Sequence, residues 1–329
     1  MSWFEPPAGA AATPTAVLVA SLVVLLCLAR ATFAWARRRP RAAQAALASL
    51  PNGLEVFSHQ PGETEYLYKE VWETREYVQH GVSLAPGDVV FDVGANIGMF
   101  SMFAAHECGG DITVHAFEPI PAIHALMSKN LERHVRGKGG RGVAHCMGLS
   151  DSPGTASFNF HSNFSLHSTG KDDFEDRRKE RLEHDVPAML EGLYEKGEMP
   201  GWLSSACVPR CVLHGLGRCA VKVLTRFERV DVKLSTLSSV MREYGVDRID
   251  LLKVDVEGFE EQVLGGIERR DWVKIRQVAL EVEDFATTKR VTKLLEGYGF
   301  EVVSEASEKK ANPRVSSEVS QIWAWRDLQ

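Results

Sequence analysis

The chain lacks the positive charge that proteins use to bind nucleic acid, since it has 38 basic and 44 acidic residues and a formal net charge of −6. Beyond the N-terminal region its basic residues are dispersed, so they form no patch for a phosphate backbone. We therefore expect no nucleic-acid partner.

Cysteine is also scarce, with six residues in the chain. Three of them, Cys207, Cys211 and Cys219, lie close in sequence, but their spacings match no common zinc finger and no histidine pair accompanies them. His214 alone is available as a fourth ligand. Ordinary reduced thiols are therefore favoured over structural zinc, and no metal is expected.

Charge is absent from residues 6–29, and the second half of this stretch is almost entirely apolar. A basic block at residues 37–41 follows it. About 20 apolar residues suffice to span a bilayer, whereas a cleaved secretory signal needs positive charge before the apolar run. We interpret residues 1–41 as a single membrane-spanning anchor, and the positive-inside rule then places the rest of the chain on the cytoplasmic side. The arginines of this region leave an organelle-targeting segment as the alternative.

The chain lacks the glycine spacing of a dinucleotide-binding loop, which needs glycines at the first, third and sixth positions of the turn. Instead, an apolar run contains Asp92 near its end, and Gly94 and Gly98 then bracket Asn96. This pattern predicts a buried strand, a glycine turn and a helix. S-adenosylmethionine carries no phosphate, so its loop needs no anion-binding nest, and Asp92 is expected to face the ammonium and sulfonium groups of that cofactor.

A second apolar run ends in Glu118, directly before Pro119. A carboxylate at the end of such a strand accepts hydrogen bonds from both hydroxyl groups of a ribose. We therefore predict that Glu118 binds the ribose of the cofactor.

A third apolar run is followed by the carboxylates Asp255, Glu257 and Glu260. Open α/β sheets bind their ligands at the carboxyl ends of parallel strands, and like charges this close need a cation, a proton or a donor to offset them. Asp255 is the strongest functional candidate. For Glu260, an interaction with the positive end of the following helix is an equally good explanation.

These motifs together resemble the FkbM family of S-adenosylmethionine-dependent methyltransferases. The matching segments are residues 92–98, 117–119, 148–151 and 253–266. The resemblance implies a group of cofactor-binding residues, which are Asp92, Gly94, Asn96, Gly98, Glu118, Leu149 and Ser150. It also implies that Asp255 and Glu257 face the reacting methyl group and the acceptor.

One position departs from the family pattern, because many relatives have a histidine where this chain has Glu283. A histidine is a ready general base near neutral pH, whereas a glutamate must first be partly desolvated. The base therefore remains open among Asp255, Glu257 and Glu283.

Alternation of apolar runs with helical stretches predicts an α/β protein with a mostly parallel sheet and helices on both faces. Strands are predicted at residues 88–93, 112–117, 143–147, 249–255, 275–283, 299–304 and 319–325. The resemblance implies a class I methyltransferase fold, a Rossmann-like doubly wound sheet whose last strand is antiparallel and lies beside the final parallel strand.

Residues 42–80 are predicted to be a linker and an N-terminal cap helix, and residues 81–329 the methyltransferase domain. The alanine-rich start of the linker is also predicted to be helical, and Pro61 and Gly62 are predicted to lie in a turn. The cap helix is expected at residues 63–80, and its Tyr77 is more typical of core packing than of substrate contact. An insertion at about residues 162–226 breaks the pattern and is long enough to bind substrate.

The sequence therefore predicts methyl transfer from S-adenosylmethionine to a hydroxyl group of a small-molecule or carrier-borne acceptor. The choice of oxygen rests on the family resemblance alone. One alternative is an NAD-dependent oxidoreductase, although the chain lacks the required glycine spacing and a hydride-site residue. Another is a non-catalytic, membrane-tethered binding protein, which would have no need to keep Asp92 and Asp255.

Overall fold

The computed structural model describes residues 46–160, 228–282, 284–306 and 319–327. The predicted anchor, the predicted insertion and Glu283 lie outside these residues. Within the described part of the chain, no helix has both the length and the hydrophobicity needed to cross a bilayer.

Twelve strands and six α-helices are formed by the described residues. The strands are β1 (Ala46–Ser49), β2 (Glu55–Ser58), β3 (Asp88–Val93), β4 (Ile112–Phe117), β5 (Arg141–His145), β6 (Gly148–Leu149), β7 (Gly154–Phe160), β8 (Glu228–Ser235), β9 (Leu251–Val254), β10 (Gln277–Val282), β11 (Glu301–Ala306) and β12 (Ser320–Trp325). The helices are α1 (Pro61–Tyr68), α2 (Met99–Glu107), α3 (Pro121–His134), α4 (Leu237–Tyr244), α5 (Glu260–Gly265) and α6 (Phe285–Gly297).

Seven strands form the central sheet in the order β11-β12-β10-β9-β3-β4-β5. β12 runs antiparallel to both of its neighbours, β10 and β11, and the strands from β10 to β5 pair in parallel. This order confirms the predicted mostly parallel sheet with one antiparallel strand beside the final parallel one. β3 and β4 have the predicted bounds, and the other five strands begin and end within two residues of the prediction.

Helices cover both faces of the central sheet. Because successive strand residues point to opposite faces, neighbouring residues of one strand pack against different helices. Val90 packs in one apolar cluster with residues of α2 and α3. The next residue, Phe91, packs in a second cluster with residues of α4, α5 and α6. The sheet is therefore doubly wound, with its strand ends left free to form a site.

Local sequence determines where several helices begin. The Asp284 side chain accepts a hydrogen bond from the Thr287 N–H at 2.9 Å at the start of α6, and Thr236 caps α4 through Ser239 at 3.1 Å. α3 begins at Pro121, whose missing N–H costs nothing in the first helical turn.

Three expectations for the N-terminal part were wrong. The alanine-rich linker residues form β1, which pairs antiparallel with β2, so strand pairing outweighs the helix propensity of alanine. The predicted cap helix is shorter, because α1 passes into a π-helical turn, Lys69–Glu73, and turns follow up to residue 80. Pro61, predicted to lie in a turn, is instead the first residue of α1.

Two strands beside the predicted insertion were not anticipated. β7 pairs antiparallel with β8 from Gly154 opposite Leu234 to Phe160 opposite Glu228. β6 adds a short parallel pairing to β8. This small second sheet places Phe158 and Leu234 in the lining of the cleft described next.

Candidate active site

A cleft opens at the carboxyl ends of β3, β4 and β9, where parallel sheets bind ligands. Its walls come from the loops after these strands, from α1 and the turns that follow it, and from the second sheet. The polar lining residues are Glu70, Tyr77, Asn96, Glu118, Lys253, Asp255 and Glu257. The site thus contains both predicted residues and residues that the sequence analysis did not assign.

The turn after β3 depends on its glycines. Gly94 has a φ of +76°, and a Cβ atom there would lie 1.7 Å from the Asp255 carbonyl oxygen. Asn96 also has a positive φ, of +49°, which asparagine tolerates better than most residues. Gly94 and Asn96 line the cleft. Gly98 lies outside the lining of the cleft. It directly precedes α2, and its lack of a side chain allows close packing against Leu131 of α3.

Asp92 lies beneath this turn rather than in the lining of the cleft. Its side chain is fully buried, and one carboxylate oxygen accepts a hydrogen bond from the Ser101 hydroxyl of α2 at 2.7 Å. The other oxygen lies 3.3 Å from Lys253 Nζ. This placement differs from our expectation that Asp92 faces the cofactor, because the carboxylate is already held by a donor and a cation.

Lys253 links three parts of the site. Its ammonium donates a hydrogen bond to the Gly94 carbonyl at 2.9 Å and lies 3.5 Å from Asp255 Oδ2. Burial by itself lowers the pKa of Lys253, but the attraction of Asp92, Asp255 and Glu70 outweighs burial and raises the pKa above its ordinary value. Lys253 is therefore charged, and it joins the loop after β3 to the loop after β9.

Glu118, the predicted ribose ligand, lines the cleft directly after β4. Its carboxylate accepts a hydrogen bond from the Ile120 N–H at 2.8 Å and a second backbone hydrogen bond from the Asn96 N–H. Burial raises the pKa of Glu118 to about 7, although these donors and Lys253 oppose the shift. The group consequently titrates near neutral pH and has acceptor capacity left for a ligand.

Asp255 follows β9 directly, and its side chain is 25% exposed in the cleft. Its Oδ2 accepts a hydrogen bond from the Tyr77 hydroxyl at 2.9 Å. The same hydroxyl lies 3.1 Å from Glu70 Oε1. Glu257 also lines the cleft, with a positive φ of +50°.

The remaining predicted residues occupy different positions. Leu149 lines the cleft, whereas Ser150 is buried beside it, with its N–H bonded to the Ser235 carbonyl at 2.8 Å. Glu260 accepts a hydrogen bond from the Gly258 N–H at 2.7 Å and lies in the first turn of α5. The position of Glu260 at the start of α5 thus explains its presence without a role in the cleft.

Three carboxylates, those of Glu70, Glu76 and Glu281, have oxygens within 4.8 Å of one another. Hydrogen bonds from Tyr77 to Glu70 and from Gln321 to Glu281 engage two of them. Because donors within the fold already hold two of the three carboxylates, we assign no metal to this cluster.

Lys253, Glu70 and Tyr77 line the cleft but were not predicted as site residues. Lys253 did carry a signal, because a lysine inside an otherwise apolar buried strand must have acidic partners. The sequence assigned no role to Glu70 and favoured core packing for Tyr77, since their contacts with the cleft join distant parts of the chain.

The sheet order, the glycine loop and the strand-end carboxylates define a Rossmann-like protein of the methyltransferase class. A family model described as the methyltransferase FkbM domain matches residues 214–302. The chain is 39% identical over 268 residues to the 31-O-demethyl-FK506 methyltransferase FkbM of Streptomyces tacrolimicus, and the match covers 78% of this chain and 89% of that protein. The chain belongs to the FkbM family of methyltransferases.

Two further relatives are more distant. Methyltransferase sdnD of Sordaria araneosa is 31% identical over 255 residues, covering 75% of this chain and 85% of that protein. The AMB antimetabolite synthetase AmbE of Pseudomonas aeruginosa is 35% identical over 259 residues, covering 77% of this chain but 11% of the synthetase. A homologous domain thus occurs both in separate methyltransferases and within a much longer synthetase.

Proposed function

We propose that the protein transfers a methyl group from S-adenosylmethionine to a hydroxyl group of a small-molecule or carrier-borne acceptor. The observation that carries this proposal is the meeting of the glycine loop, Glu118 and Asp255 in one cleft at the ends of three adjacent strands. Family membership supports the reaction class, and the positions of these residues in the cleft support the roles that we propose for them.

The residues of the cleft fit this cofactor. Among the described lining residues, Glu70, Glu118, Asp255 and Glu257 are acidic, and Lys253 is the one basic residue. An acidic lining attracts a sulfonium and an ammonium and repels a pyrophosphate. The same charge favours the cationic methyl donor over its neutral thioether product, and it weighs against the NAD-dependent alternative.

When bound, S-adenosylmethionine supplies an electrophilic methyl group on a positively charged sulfur. We assign the ribose hydroxyls to Glu118, the amino-acid end to the Gly94 and Asn96 turn, and the adenine side to Leu149. Ser150 is then a supporting residue, because its N–H is used within the fold.

Asp255 is our first choice for the group that orients and deprotonates the acceptor. Its carboxylate would take the proton of the acceptor hydroxyl as that oxygen accepts the methyl group, and the bound cofactor would keep the bonding electron pair on its sulfur. Glu257 is the second choice for this role, and Glu283 is a further candidate on the basis of the sequence alone. Holding the reactants in line contributes about 7–11 kcal/mol to the lowering of such barriers.

The acceptor remains a class rather than a compound. The name of the Streptomyces relative specifies an O-demethyl compound, which supports oxygen as the methylated atom. The similarity to part of a synthetase supports keeping a carrier-borne acceptor beside a free small molecule. We also propose, from the sequence alone, that residues 1–41 anchor the enzyme with its catalytic domain on the cytoplasmic side.

The proposal is tested by incubating the full chain with methyl-labelled S-adenosylmethionine and an extract of the producing cells, and then identifying the labelled species by mass spectrometry. Calorimetry with S-adenosylmethionine and NADH, on wild type and Glu118→Ala, tests the cofactor. The control is Glu132→Ala, which removes an exposed acid of α3 far from the lining.

We expect binding of S-adenosylmethionine, weakened by Glu118→Ala and unchanged by Glu132→Ala. Binding of NADH alone would support the oxidoreductase instead. Binding of S-adenosylmethionine without any labelled product from the extract would support the non-catalytic alternative.

A further inference from the structure

The cleft needs an acid for the ammonium of the cofactor, and Asp92 is not placed to supply it. S-adenosylmethionine carries this ammonium at its amino-acid end, and a carboxylate is the strongest acceptor for a charged donor in a largely buried site. Asp92 lies beneath the turn after β3, where its two oxygens face Ser101 and Lys253. The partner of the ammonium is therefore to be found among the residues that line the cleft.

Glu70 is an acid of the lining that comes from outside the central sheet. It belongs to the cap segment, which we define as residues 61–80, and lies in the π-helical turn Lys69–Glu73. Such turns are frequent at functional sites. Glu70 is 4% exposed, and a carboxylate buried to this extent is stabilised by a cation that enters the cleft.

Three contacts place Glu70 beside the glycine turn. Its Oε1 lies 3.1 Å from the Tyr77 hydroxyl, and the Tyr77 ring packs edge-on against Phe100 with 5.4 Å between the ring centroids. Phe100 belongs to the first turn of α2, the helix that follows the glycine turn. The charge of Glu70 also acts on Lys253, whose ammonium donates a hydrogen bond to the Gly94 carbonyl at 2.9 Å. Glu70 thus lies at the end of the cleft to which we assign the amino-acid part of the cofactor.

We propose that Glu70 binds the ammonium of the cofactor, so that the cap segment forms part of the S-adenosylmethionine site. Glu70 takes the role expected of Asp92, and Asp255 keeps its role toward the reacting methyl group and the acceptor. The Tyr77 hydroxyl lies between the two carboxylates, 2.9 Å from Asp255 Oδ2, and separates them. This inference rests on the proposed function, because it assumes that the cleft binds S-adenosylmethionine.

The test compares S-adenosylhomocysteine with its deamino analogue, in which hydrogen replaces the α-amino group. The two compounds share the adenosine, the thioether sulfur and the carboxylate, so the ratio of their dissociation constants reports the residues that contact the ammonium. Calorimetry on the full chain at a single pH gives both constants. In wild type we expect a preference for S-adenosylhomocysteine of about 10-fold or more, which is the size expected for a hydrogen bond between charged groups.

Glu70→Gln keeps the volume of the side chain and an oxygen for the Tyr77 hydroxyl but removes the charge. It should weaken binding of S-adenosylhomocysteine by about 10-fold without weakening binding of the deamino analogue, so most of the preference is lost. Glu70→Asp, which keeps the charge, should retain part of the preference. Glu73→Gln is the matched control, because Glu73 ends the same π-helical turn but is exposed and does not line the cleft. Its preference should equal that of wild type.

Equal affinities of wild type for the two compounds would overturn the inference. So would a Glu70→Gln protein that keeps the full preference, and loss of the preference in Asp255→Asn alone would assign the ammonium to Asp255. An equal loss in Glu73→Gln would also contradict the inference, because the overall charge of the protein would then explain the effect.

Should Glu70→Gln fail to fold, amide hydrogen exchange on the wild-type protein decides. At saturation, S-adenosylhomocysteine should protect residues 69–73 more than the deamino analogue does, and equal protection would overturn the inference. A wild-type protein that binds neither S-adenosylmethionine nor S-adenosylhomocysteine contradicts the proposed function instead.

Discussion

Replacing Lys253 by methionine is expected to destabilise the protein strongly. The Lys253 ammonium is 4% exposed and lies 3.3 Å from Oδ1 of Asp92, whose side chain is 0% exposed. Methionine keeps most of the volume but leaves the buried carboxylate without its cation. Removing one partner of a buried ion pair costs about 3–5 kcal/mol, which for a domain of this size lowers the melting temperature by roughly 10 °C.

The double variant Asp92→Asn, Lys253→Met separates the two contributions of the lysine. With both charges removed, no uncompensated charge remains, and most of the lost stability should return. Binding of S-adenosylmethionine should stay weak, because the hydrogen bond to the Gly94 carbonyl and the cation beside Asp255 are still missing. The double variant is therefore expected to regain stability without regaining affinity for S-adenosylmethionine.

Urea denaturation gives the stability of each protein in this cycle, and calorimetry gives its affinity for S-adenosylmethionine. Lys129→Met is the control, since Lys129 lies on α3 outside the lining of the cleft, with its ammonium over the Phe57 ring of β2. If Lys253→Met has the same urea midpoint of unfolding as wild type, the prediction is refuted. It is refuted equally if the double variant recovers both stability and affinity, because Lys253 would then only neutralise Asp92.

Three other predictions concern the cofactor loop, the ribose ligand and the N-terminus. Burial raises the pKa of Glu118 from 4.5 to about 7, so the cofactor-free protein should lose about 3 kcal/mol as the pH rises between these values. Glu118→Gln should therefore be the more stable protein above pH 7 and equal to wild type below about pH 4, which thermal denaturation at several pH values will show. Gly94→Ala should abolish folding or binding of S-adenosylmethionine, whereas Gly299→Ala, at a φ of +85° with nothing within 4 Å of its Cβ, should cost about 1–2 kcal/mol in urea denaturation. Removal of residues 1–41 should move the protein from the membrane fraction to the supernatant on centrifugation, and an unchanged distribution would contradict the anchor.

The centre of the sheet was predictable because β3, β4 and β9 are short apolar runs directly followed by a glycine or a carboxylate. β3 and β4 have the bounds that these patterns indicate. The position of β12 between β10 and β11 came from the family resemblance, since no local pattern tells an inserted antiparallel strand from an edge strand. β7 and β8 were missed, because residues far apart in the chain form that pair.

The contacts of Tyr77 lay beyond prediction for a similar reason. Its hydrogen bond to Asp255 joins residues 178 positions apart, and helical periodicity assigned it to the core of a longer cap helix. The helix instead ends in a π-helical turn, and the turns after it direct Tyr77 to the cleft. The pattern correctly indicated a buried tyrosine but gave no information on which polar group its hydroxyl would meet.

The different positions of the three strand-end acids follow from a shift of two residues along the chain, because Asp92 is the second-last residue of β3. Glu118 and Asp255 are each the first residue after a strand, and both line the cleft. Asp92 is still inside β3, opposite Lys253 of β9, so the strand directs its side chain under the helices, where it meets Ser101. The predicted bounds of β3 already included Asp92 within the strand, and side-chain alternation was therefore enough to expect a buried carboxylate. The acid within the last two residues of β3 therefore supports the glycine turn from below, whereas the acids directly after β4 and β9 line the cleft.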